Sequence, residues 1–327
     1  MMNKRHFLRA TAVAASLLSL GSAAQAAPDW LPNKPVTLVV GFAAGGAADA
    51  AARMIAKKLG ENIGQTVVVD NKGGAGGNIA HQFVSKAPTD GSVLLFGSIG
   101  PLTIAPHIMK VGYNPFTDLA PISGGVNFPN VLVVHRGAGV KNLAEFVAKA
   151  KKNPSSVDYA STGAGSASHL AGELFNQRAG VEMVHVPYKG GAPALQDLLG
   201  ERVTSYFAAP PTALPHIETG KLIPLATTGL TRPAYMPNIP TVAEAGFPGF
   251  EALNWYAFVA PGKTPTPVLD RWNLEIAKVL KDPGVAEALK VHGLTPQPTT
   301  RAEFAAFMKK EYEQWGKVVK ERKITQN

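Results

Sequence analysis

The 327-residue sequence contains no cysteine. A disulfide framework, a thiolate metal site and a cysteine nucleophile are therefore excluded. Charged residues make up only 17% of the chain, whereas an average globular protein has roughly 25%, so the composition argues against a coiled coil or a disordered polyelectrolyte. The sequence also lacks an uninterrupted apolar stretch of the roughly 20 residues that a membrane helix needs.

Glycine and proline are abundant instead, with 33 and 26 residues respectively. This excess indicates many short connections between secondary-structure elements. The length corresponds to two domains, or one large one, at roughly 100–200 residues per domain. The formal net charge of +9 raises the question of a polyanionic partner. The basic residues are spread along the chain, and their few clusters lie at apparent helix ends. The sequence therefore predicts no nucleic-acid partner.

Residues 1–26 have the features of a cleaved export signal. Basic residues precede an apolar run from Ala10 to Leu20, and an Ala-x-Ala cleavage site follows at residues 24–26. Because Lys4 stands where a twin-arginine signal has its first arginine, Sec export is favoured. Cleavage would lower the net charge from +9 to +6 by removing three basic residues. The sequence therefore predicts a periplasmic protein that needs no oxidative folding.

Strand-like and helix-like segments alternate from the start of the mature chain. Residues 35–40 form a short β-branched apolar run that predicts a buried strand. Residues 49–59 are helix-like, and Gly60 would end that helix. The alternation continues through residues 66–98, and this βαβαβ order is typical of a doubly wound parallel sheet.

A second unit of similar construction follows at residues 131–228. Segments near residues 124–131 and 251–259 are predicted to cross between the two units. The C-terminal part is predicted to be mostly helical, with one amphipathic helix from Val268 to Leu280 and another that starts near Phe304.

Three turns of small residues follow predicted strands, at residues 41–49, 97–100 and 161–168. Ligands of open parallel sheets bind at the carboxyl ends of the strands. Each turn is predicted to precede a helix N-terminus, where free backbone N–H groups and the positive end of the helix dipole attract anions. The sequence thus predicts uncharged anion-binding turns.

Three side chains close to these turns have alternative roles. Asp49 could hold a water at the site or simply cap the first helix. His169 could lie beside the ligand in the first turn of a helix. Its spacing of four from Glu173 also permits a pair of metal ligands, but no third ligand is near, and we predict no metal site. Tyr188 could donate its hydroxyl to a ligand or be a partly buried core residue.

Nucleotide and hydrolase motifs are incomplete. Gly41 and Gly46 have the Walker A spacing, but Ala47 stands where that motif requires lysine. The glycine runs that begin at Gly74 and Gly163 lack the last glycine of the Rossmann fingerprint. The sequence contains neither a G-x-S-x-G elbow nor an H-E-x-x-H motif. We therefore expect no cofactor and no enzymatic activity.

In their order along the chain, several motifs together resemble the Bug family of periplasmic substrate-binding proteins, which serve tripartite tricarboxylate transporters. The resemblance covers essentially the whole mature chain. Two departures are Gly41 and Gly73, where the family usually has proline. The motifs are Val39–Asp49, Asp70–Ile79, Gly163–Leu174, His185–Gly190, Pro240–Gly246, Trp255 with Ala260-Pro261, and Glu311 with Trp315.

The resemblance implies an α/β, type II periplasmic binding-protein fold, with two doubly wound lobes joined by two crossing strands. The implied lobes are residues 27–125 with 257–327, and residues 126–256. In the family, the first turn holds one carboxylate of the ligand and the turn of the second lobe holds its other end. Together with the neighbouring turn and strand ends, the expected ligand-binding residues are Phe42, Ala43, Ala44, Gly45, Gly46, Asp49, Ser98, Ser161, Thr162, Gly163, Gly165, Ser166, His169, Tyr188 and Ala208.

The resulting hypothesis is a monomeric, non-enzymatic receptor for a small organic carboxylate. Its partners would be the large and small membrane subunits of a tripartite tricarboxylate transporter. One alternative is a ligand-loaded sensor component that docks on a membrane kinase. The other is a periplasmic hydrolase or isomerase that uses His169 and Asp49, although the sequence shows no nucleophile–base pair.

Overall fold

The structure, a computed structural model, describes residues 30–154 and 156–325. The predicted export segment and its cleavage site lie outside the described residues. The described strands, in chain order, are β1 (Val36–Val40), β2 (Val67–Asn71), β3 (Val93–Ser98), β4 (Leu119–Pro129), β5 (Val131–His135), β6 (Asp158–Ser161), β7 (Val184–Pro187), β8 (Ser205–Ala208), β9 (Leu222–Thr227), β10 (Leu253–Pro261) and β11 (Thr295–Pro296).

Helices connect these strands and cover the sheets. They are α1 (Ala47–Ile63), α2 (Asn78–Val84), α3 (Ala105–Ile108), α4 (Leu143–Lys152), α5 (Ala167–Ala179), α6 (Gly191–Leu199), α7 (Pro210–Glu218), α8 (Thr266–Lys281), α9 (Pro283–Val291) and α10 (Arg301–Glu321). Among the described residues, none of these helices has the length and apolar character needed to cross a bilayer.

The strands of the described chain form two sheets, which confirms the prediction of two α/β units. The first has the order β11-β4-β10-β3-β1-β2, and the second has the order β7-β6-β8-β5-β9. In the first sheet β1 pairs in parallel with β2 and β3, and β10 runs antiparallel to β3 and β4. In the second, β6 pairs in parallel with β7 and β8, whereas β5 is antiparallel to β8 and β9.

Strands β1 and β3 of the first sheet are buried on both faces. Leu38 and Leu94 belong to the apolar cluster that α1 and α8 share, whereas Val39 and Leu95 belong to the cluster on the opposite face. This burial explains why β1 and β3 are continuous apolar runs instead of alternating ones. The predicted apolar stripe of the last helix packs inward only in part, because Phe304 and Trp315 are buried whereas Phe307 is 42% exposed.

The first helix extends past the residue predicted to end it. Gly60 lies inside α1, and the helix ends only at Ile63, followed by Gly64 with a left-handed φ of 69°. A glycine within a helix costs only about 1 kcal/mol, whereas the left-handed conformation strongly favours glycine at a helix end. The burial of Ile63 stabilises the additional helical turn.

Two crossings connect the lobes. Only Asn130 separates β4 from β5, and residues 228–252 lead from β9 back to β10. The hydroxyl of Thr228 accepts a hydrogen bond from the Asn130 N–H (2.9 Å) and donates one to the Ala252 carbonyl (2.7 Å), so it ties the two crossings together. The expected lobe boundaries, after residues 125 and 256, fall inside β4 and β10, both of which belong to the first sheet.

Candidate functional site

A small cavity lies between the two sheets, beside the crossings. Its volume is about 20 Å³, roughly the space of one water molecule. Among the described residues, its wall contains no side chain that is charged at neutral pH. The lining residues are Phe42, Ser98, Ile99, Asn130, Thr162, Ala167, Ser168, Tyr206, Phe207, Ala209, Asn254 and Tyr256. Phe42, Ser98 and Thr162 are thus the predicted residues that reach the cavity.

The first turn, between β1 and α1, contacts the second lobe directly. The Ala43 N–H donates to the carbonyl of Lys189 at 3.0 Å. A β-carbon built on Gly46 would lie 3.5 Å from the amide nitrogen of Gly191, where α6 begins. Ala43, Gly45 and Gly46 therefore lie against residues 189–192 at the start of α6, whereas Ala44 is exposed. None of the four is part of the cavity wall.

Asp49, in the first turn of α1, stabilises the turn between β1 and α1. Its carboxylate accepts a hydrogen bond from the Gly45 N–H at 3.0 Å and forms an ion pair with Arg53, with an N–O distance of 2.9 Å. Burial by itself would raise the pKa of Asp49, but the bonds from Arg53, Gly45 and Asn71 outweigh burial and lower it. Asp49 therefore remains a carboxylate with its partners in the first lobe. It is not the N-cap of α1, which is Gly46, but lies in the first turn of the helix.

In the second turn, between β6 and α5, side chains of the turn accept hydrogen bonds from its own backbone N–H groups. The Thr162 N–H donates to Ser168 Oγ (2.9 Å), and the Gly163 N–H donates to Ser161 Oγ (3.0 Å). Ser166 is the N-cap of α5 and accepts from the His169 N–H. Several N–H groups predicted to bind a ligand are thus already used within the turn.

His169 holds this turn and does not line the cavity. Its Nδ1 accepts a hydrogen bond from the Gly165 N–H at 3.2 Å, and its ring stacks on His185 at 4.1 Å. Burial, together with the neighbouring His185, lowers the pKa of His169 to about 3. The imidazole is therefore neutral at physiological pH, as an Nδ1 acceptor must be.

The other two predicted residues also lie outside the wall. The Tyr188 hydroxyl donates to Asp197 Oδ2 at 2.8 Å, and burial together with this bond raises the pKa of Tyr188 to about 12. Ala208 is fully buried at the end of β8, next to Ala209, which does line the cavity.

Neither a metal site nor a catalytic centre is assembled from the expected residues. The described residues contain no cluster of three or more His, Asp or Glu side chains suited to a metal ion. Glu173 accepts a hydrogen bond from the Tyr159 hydroxyl at 2.5 Å. Ser161 lies 2.6 Å from His185 Nε2, but it is fully buried and is not part of the cavity wall.

Five polar residues of the wall are not among the expected ligand-binding residues: Asn130, Ser168, Asn254, Tyr206 and Tyr256. Burial raises the pKa of both tyrosine hydroxyls, and the proximity of Tyr256 raises that of Tyr206 further. Both hydroxyls therefore stay protonated and can donate hydrogen bonds. The signals in the sequence were the position of Ser168 in a small-residue turn and that of Asn130, Asn254 and Tyr256 within the predicted crossing segments.

Buried polar atoms of the wall lack partners. Ser98 Oγ, Asn130 Nδ2 and Asn254 Oδ1 have no hydrogen-bond partner among the described residues. Such groups are rare in folded proteins and call for an explanation, because burying one without a bond costs about 1–3 kcal/mol. Their concentration in one interlobe cavity indicates a binding site for a polar molecule.

Comparisons with known proteins identify the family of this chain. Residues 51–324 match the family model described as the tripartite tricarboxylate transporter family receptor. Protein BugT of Bordetella pertussis is 36% identical over 307 residues, which cover 93% of this chain and 94% of BugT.

Solved structures of similar proteins have the same fold. The periplasmic binding protein BugD superposes with a TM-score of 0.86 at 35% identity, covering 90% of this chain and all of BugD. The R. palustris protein Rpa4515, solved with adipate, has a TM-score of 0.86 at 36% identity, covering 90% of this chain and 99% of Rpa4515. The predicted periplasmic binding-protein fold is therefore confirmed.

Proposed function

The chain belongs to the tripartite tricarboxylate transporter receptor family, whose members are binding proteins and not enzymes, and from this premise we propose its specific role. It is a monomeric extracytoplasmic receptor that binds a small organic carboxylate between its lobes. It delivers this ligand to the large and small membrane subunits of a tripartite tricarboxylate transporter.

One observation carries the carboxylate assignment: helix N-termini meet at a cavity without charged side chains. Ala167 and Ser168 at the start of α5 and Ala209 at the N-cap of α7 belong to the wall. The positive ends of both helix dipoles and the backbone N–H groups at the start of α5 favour an anion at such a place, whereas α7 contributes only its dipole because Pro210 and Pro211 have no N–H. Lysine or arginine is then not needed to hold a carboxylate.

The close approach of the two lobes also favours an anionic ligand. The N-termini of α1 and α6 face each other across the cleft, with the backbones of Gly46 and Gly191 in near contact. Two positive dipole ends repel at this distance in a protein interior. A ligand carboxylate placed between the lobes offsets that repulsion, so binding of an anion favours the closed arrangement.

The comparisons support the ligand class. Rpa4515 was solved with adipate, a dicarboxylate, and its chain is similar to this one over nearly its whole length. A sensor component for a membrane kinase would have the same binding site. Capture of partners by the ligand-loaded protein distinguishes the two roles, since the transporter hypothesis requires recovery of the membrane subunits.

We expect a thermal-shift screen of dicarboxylates, tricarboxylates and carboxylated aromatics to identify a ligand. At a concentration a hundred times the Kd, a ligand stabilises the folded state by about 2.7 kcal/mol. This raises the Tm of a protein of this size by roughly 4 °C. The protein is first unfolded and refolded to remove any co-purified ligand. If no carboxylate raises the Tm, the proposed function is wrong.

Export gives a separate prediction. Expressed in a Gram-negative host, the protein is expected in the periplasmic fraction with its N-terminus at Ala27, because the signal segment ends with an Ala-x-Ala site. Intact-mass measurement and N-terminal sequencing check this result. Recovery of the uncleaved chain in the cytoplasm would contradict the proposed location.

A further inference from the structure

The last helix, α10, is shared between the two lobes. Its first half belongs to the first lobe, where it packs on β4 and α3 and buries Phe304 and Met308. Gly316 lies against the ring of His107 on α3, because a β-carbon built on Gly316 would lie 2.7 Å from His107 Cε1. His107 Nε2 also lies 2.9 Å from the carbonyl oxygen of Tyr312. The helix is therefore attached to the first lobe as far as residue 316.

The end of α10 contacts the second lobe instead. Gln177 on α5 donates from Nε2 to the carbonyl of Arg322 at 2.8 Å, and Arg322 Nη1 donates back to Gln177 Oε1 at 2.7 Å. Val319 and Ile324 are buried in the apolar cluster that also contains Phe175 of α5. Arg322 and Ile324 line a surface cavity of about 470 Å³ whose other lining residues all belong to the second lobe. The end of α10 thus joins the lobes in addition to the two crossings.

The backbone after α10 has an unfavourable conformation that places Ile324 beside the second lobe. Lys323 has a left-handed φ of 51°, and the Ile324 N–H donates to the Val319 carbonyl at 3.1 Å. Glycine is strongly preferred at this position of a helix end, because a β-carbon is strained there. Strained residues persist where surrounding contacts hold them. The docking of Ile324 on the second lobe is such a contact.

These contacts fit one orientation of the lobes. The contact of Gly316 with His107 fixes α10 to the first lobe, whereas Gln177 moves with the second lobe. Hydrogen bonds form only within a narrow range of distance and angle. A rotation of the lobes about the two crossings therefore breaks both bonds between Gln177 and Arg322 and exposes Ile324. The contacts stabilise the closed arrangement and are lost when the cleft opens.

We infer that residues 318–325 form a C-terminal latch, which holds the lobes in the closed arrangement and detaches from α5 when the cleft opens. The latch thereby sets the fraction of the ligand-free protein that is closed. The apparent affinity for a ligand bound between the lobes scales with this fraction. The inference goes beyond the proposed function, because the latch acts on the lobes whether or not a ligand is bound.

Spin labels test the latch directly. Because the chain contains no cysteine, Lys86→Cys in the first lobe and Lys151→Cys in the second provide two exposed labelling sites. Electron–electron double resonance then measures the distance distribution between the labels in ligand-free, refolded protein. The closed arrangement gives one distance, and opening adds a second component.

Two substitutions remove contacts of the latch from opposite sides. Gln177→Ala is expected to raise the ratio of open to closed protein about threefold to tenfold, as the loss of two hydrogen bonds implies. Adding Ile324→Ser is expected to raise the ratio about tenfold further, because a buried apolar side chain is lost. Gln177 is exposed, so its substitution leaves the fold of each lobe intact, and the melting temperature checks this.

Lys317→Ala is the matched control. Lys317 is exposed on the same part of α10, and its substitution leaves the contacts of the latch in place. This variant is expected to have the wild-type distance distribution. If Ile324→Ser does not fold, Gln177→Ala alone decides.

A wild-type distance distribution in the folded Gln177→Ala protein and in the double variant would overturn the latch. The proposed function would then still stand, because the measurement uses no ligand. Failure of every carboxylate to bind would instead overturn the proposed function and leave the latch standing.

Discussion

Replacing Gly100 with valine is expected to lower the affinity for a carboxylate ligand about a hundredfold or more. A β-carbon on Gly100 would lie 2.6 Å from the carbonyl oxygen of Gly165 and 3.0 Å from the α-carbon of Ser166. Both neighbours belong to the second lobe, and the backbone of Gly100 has no left-handed φ. The added β-carbon thus meets the second lobe, at a backbone conformation that valine can adopt.

The affinity falls because a ligand held by one lobe loses its contacts with the other. A hundredfold change corresponds to about 2.7 kcal/mol, which the loss of two or three hydrogen bonds to a charged ligand would produce. Calorimetry measures the affinity, and small-angle scattering measures whether the ligand still reduces the radius of gyration. The melting temperature reports whether the lobes stay folded.

Gly284→Val is the control for this experiment. Gly284 is exposed near the start of α9, and a β-carbon there would meet only Asp282 Oδ1, at 3.3 Å. We expect its ligand affinity to equal that of the wild-type protein. Unchanged affinity in a folded Gly100→Val protein would show that ligand binding does not require this close approach.

Asp49→Ala is expected to lower the free energy of unfolding by about 2 kcal/mol. The substitution removes the carboxylate that accepts from the Gly45 N–H and from Arg53. Hydrogen bonds to a charged group contribute about 1.5–3 kcal/mol, whereas the ion pair with the half-exposed Arg53 adds little. Urea denaturation followed by circular dichroism measures this loss.

The contribution of Asp49 also depends on pH. Its pKa is lowered in the folded protein, so the unfolded state binds the proton more tightly. The stabilisation is therefore fully present above the unfolded pKa of about 3.9 and is lost as the pH falls through the lower, folded value. The stability difference between the wild-type protein and Asp49→Ala should accordingly shrink below about pH 4.

Asp70→Ala is the matched control for the buried carboxylate. Asp70 forms an ion pair with Lys72 at 2.9 Å, but its side chain is 41% exposed. Exposed pairs contribute about 0–1 kcal/mol, so this variant should retain nearly all of its stability. An Asp49→Ala protein as stable as Asp70→Ala would contradict a structural role for Asp49.

Local sequence patterns predicted most elements of the fold but missed α7. No element was predicted for residues 210–218, which contain Pro210, Pro211 and Pro215, and proline breaks most helices. Pro210 and Pro211 occupy the first positions of the helix, where no N–H is required, and the helix tolerates Pro215 near its end. Packing of the buried Ala213 in the core of the second lobe then holds the helix in place.

Of the residues expected to bind a ligand, Phe42, Ser98 and Thr162 line the interlobe cavity. That this cavity binds the ligand stays a prediction. Gly163 and Gly165 were expected to offer N–H groups to a ligand, but Ser161 and His169 already accept them. A turn's sequence indicates that N–H groups exist, whereas the surrounding side chains determine which of them are free.

The sequence alone determined the order of strands, small-residue turns and helices, because hydrophobic periodicity and turn residues act over a few neighbouring positions. The sequence also excluded cysteine chemistry and predicted that the binding turns carry no charged motif. Only the tertiary structure decided that Asn130 and Asn254, 124 residues apart, meet at one cavity with unpaired polar atoms. Such a pairing depends on how two lobes pack and on which hydrogen bonds remain unsatisfied, and no local pattern encodes either property.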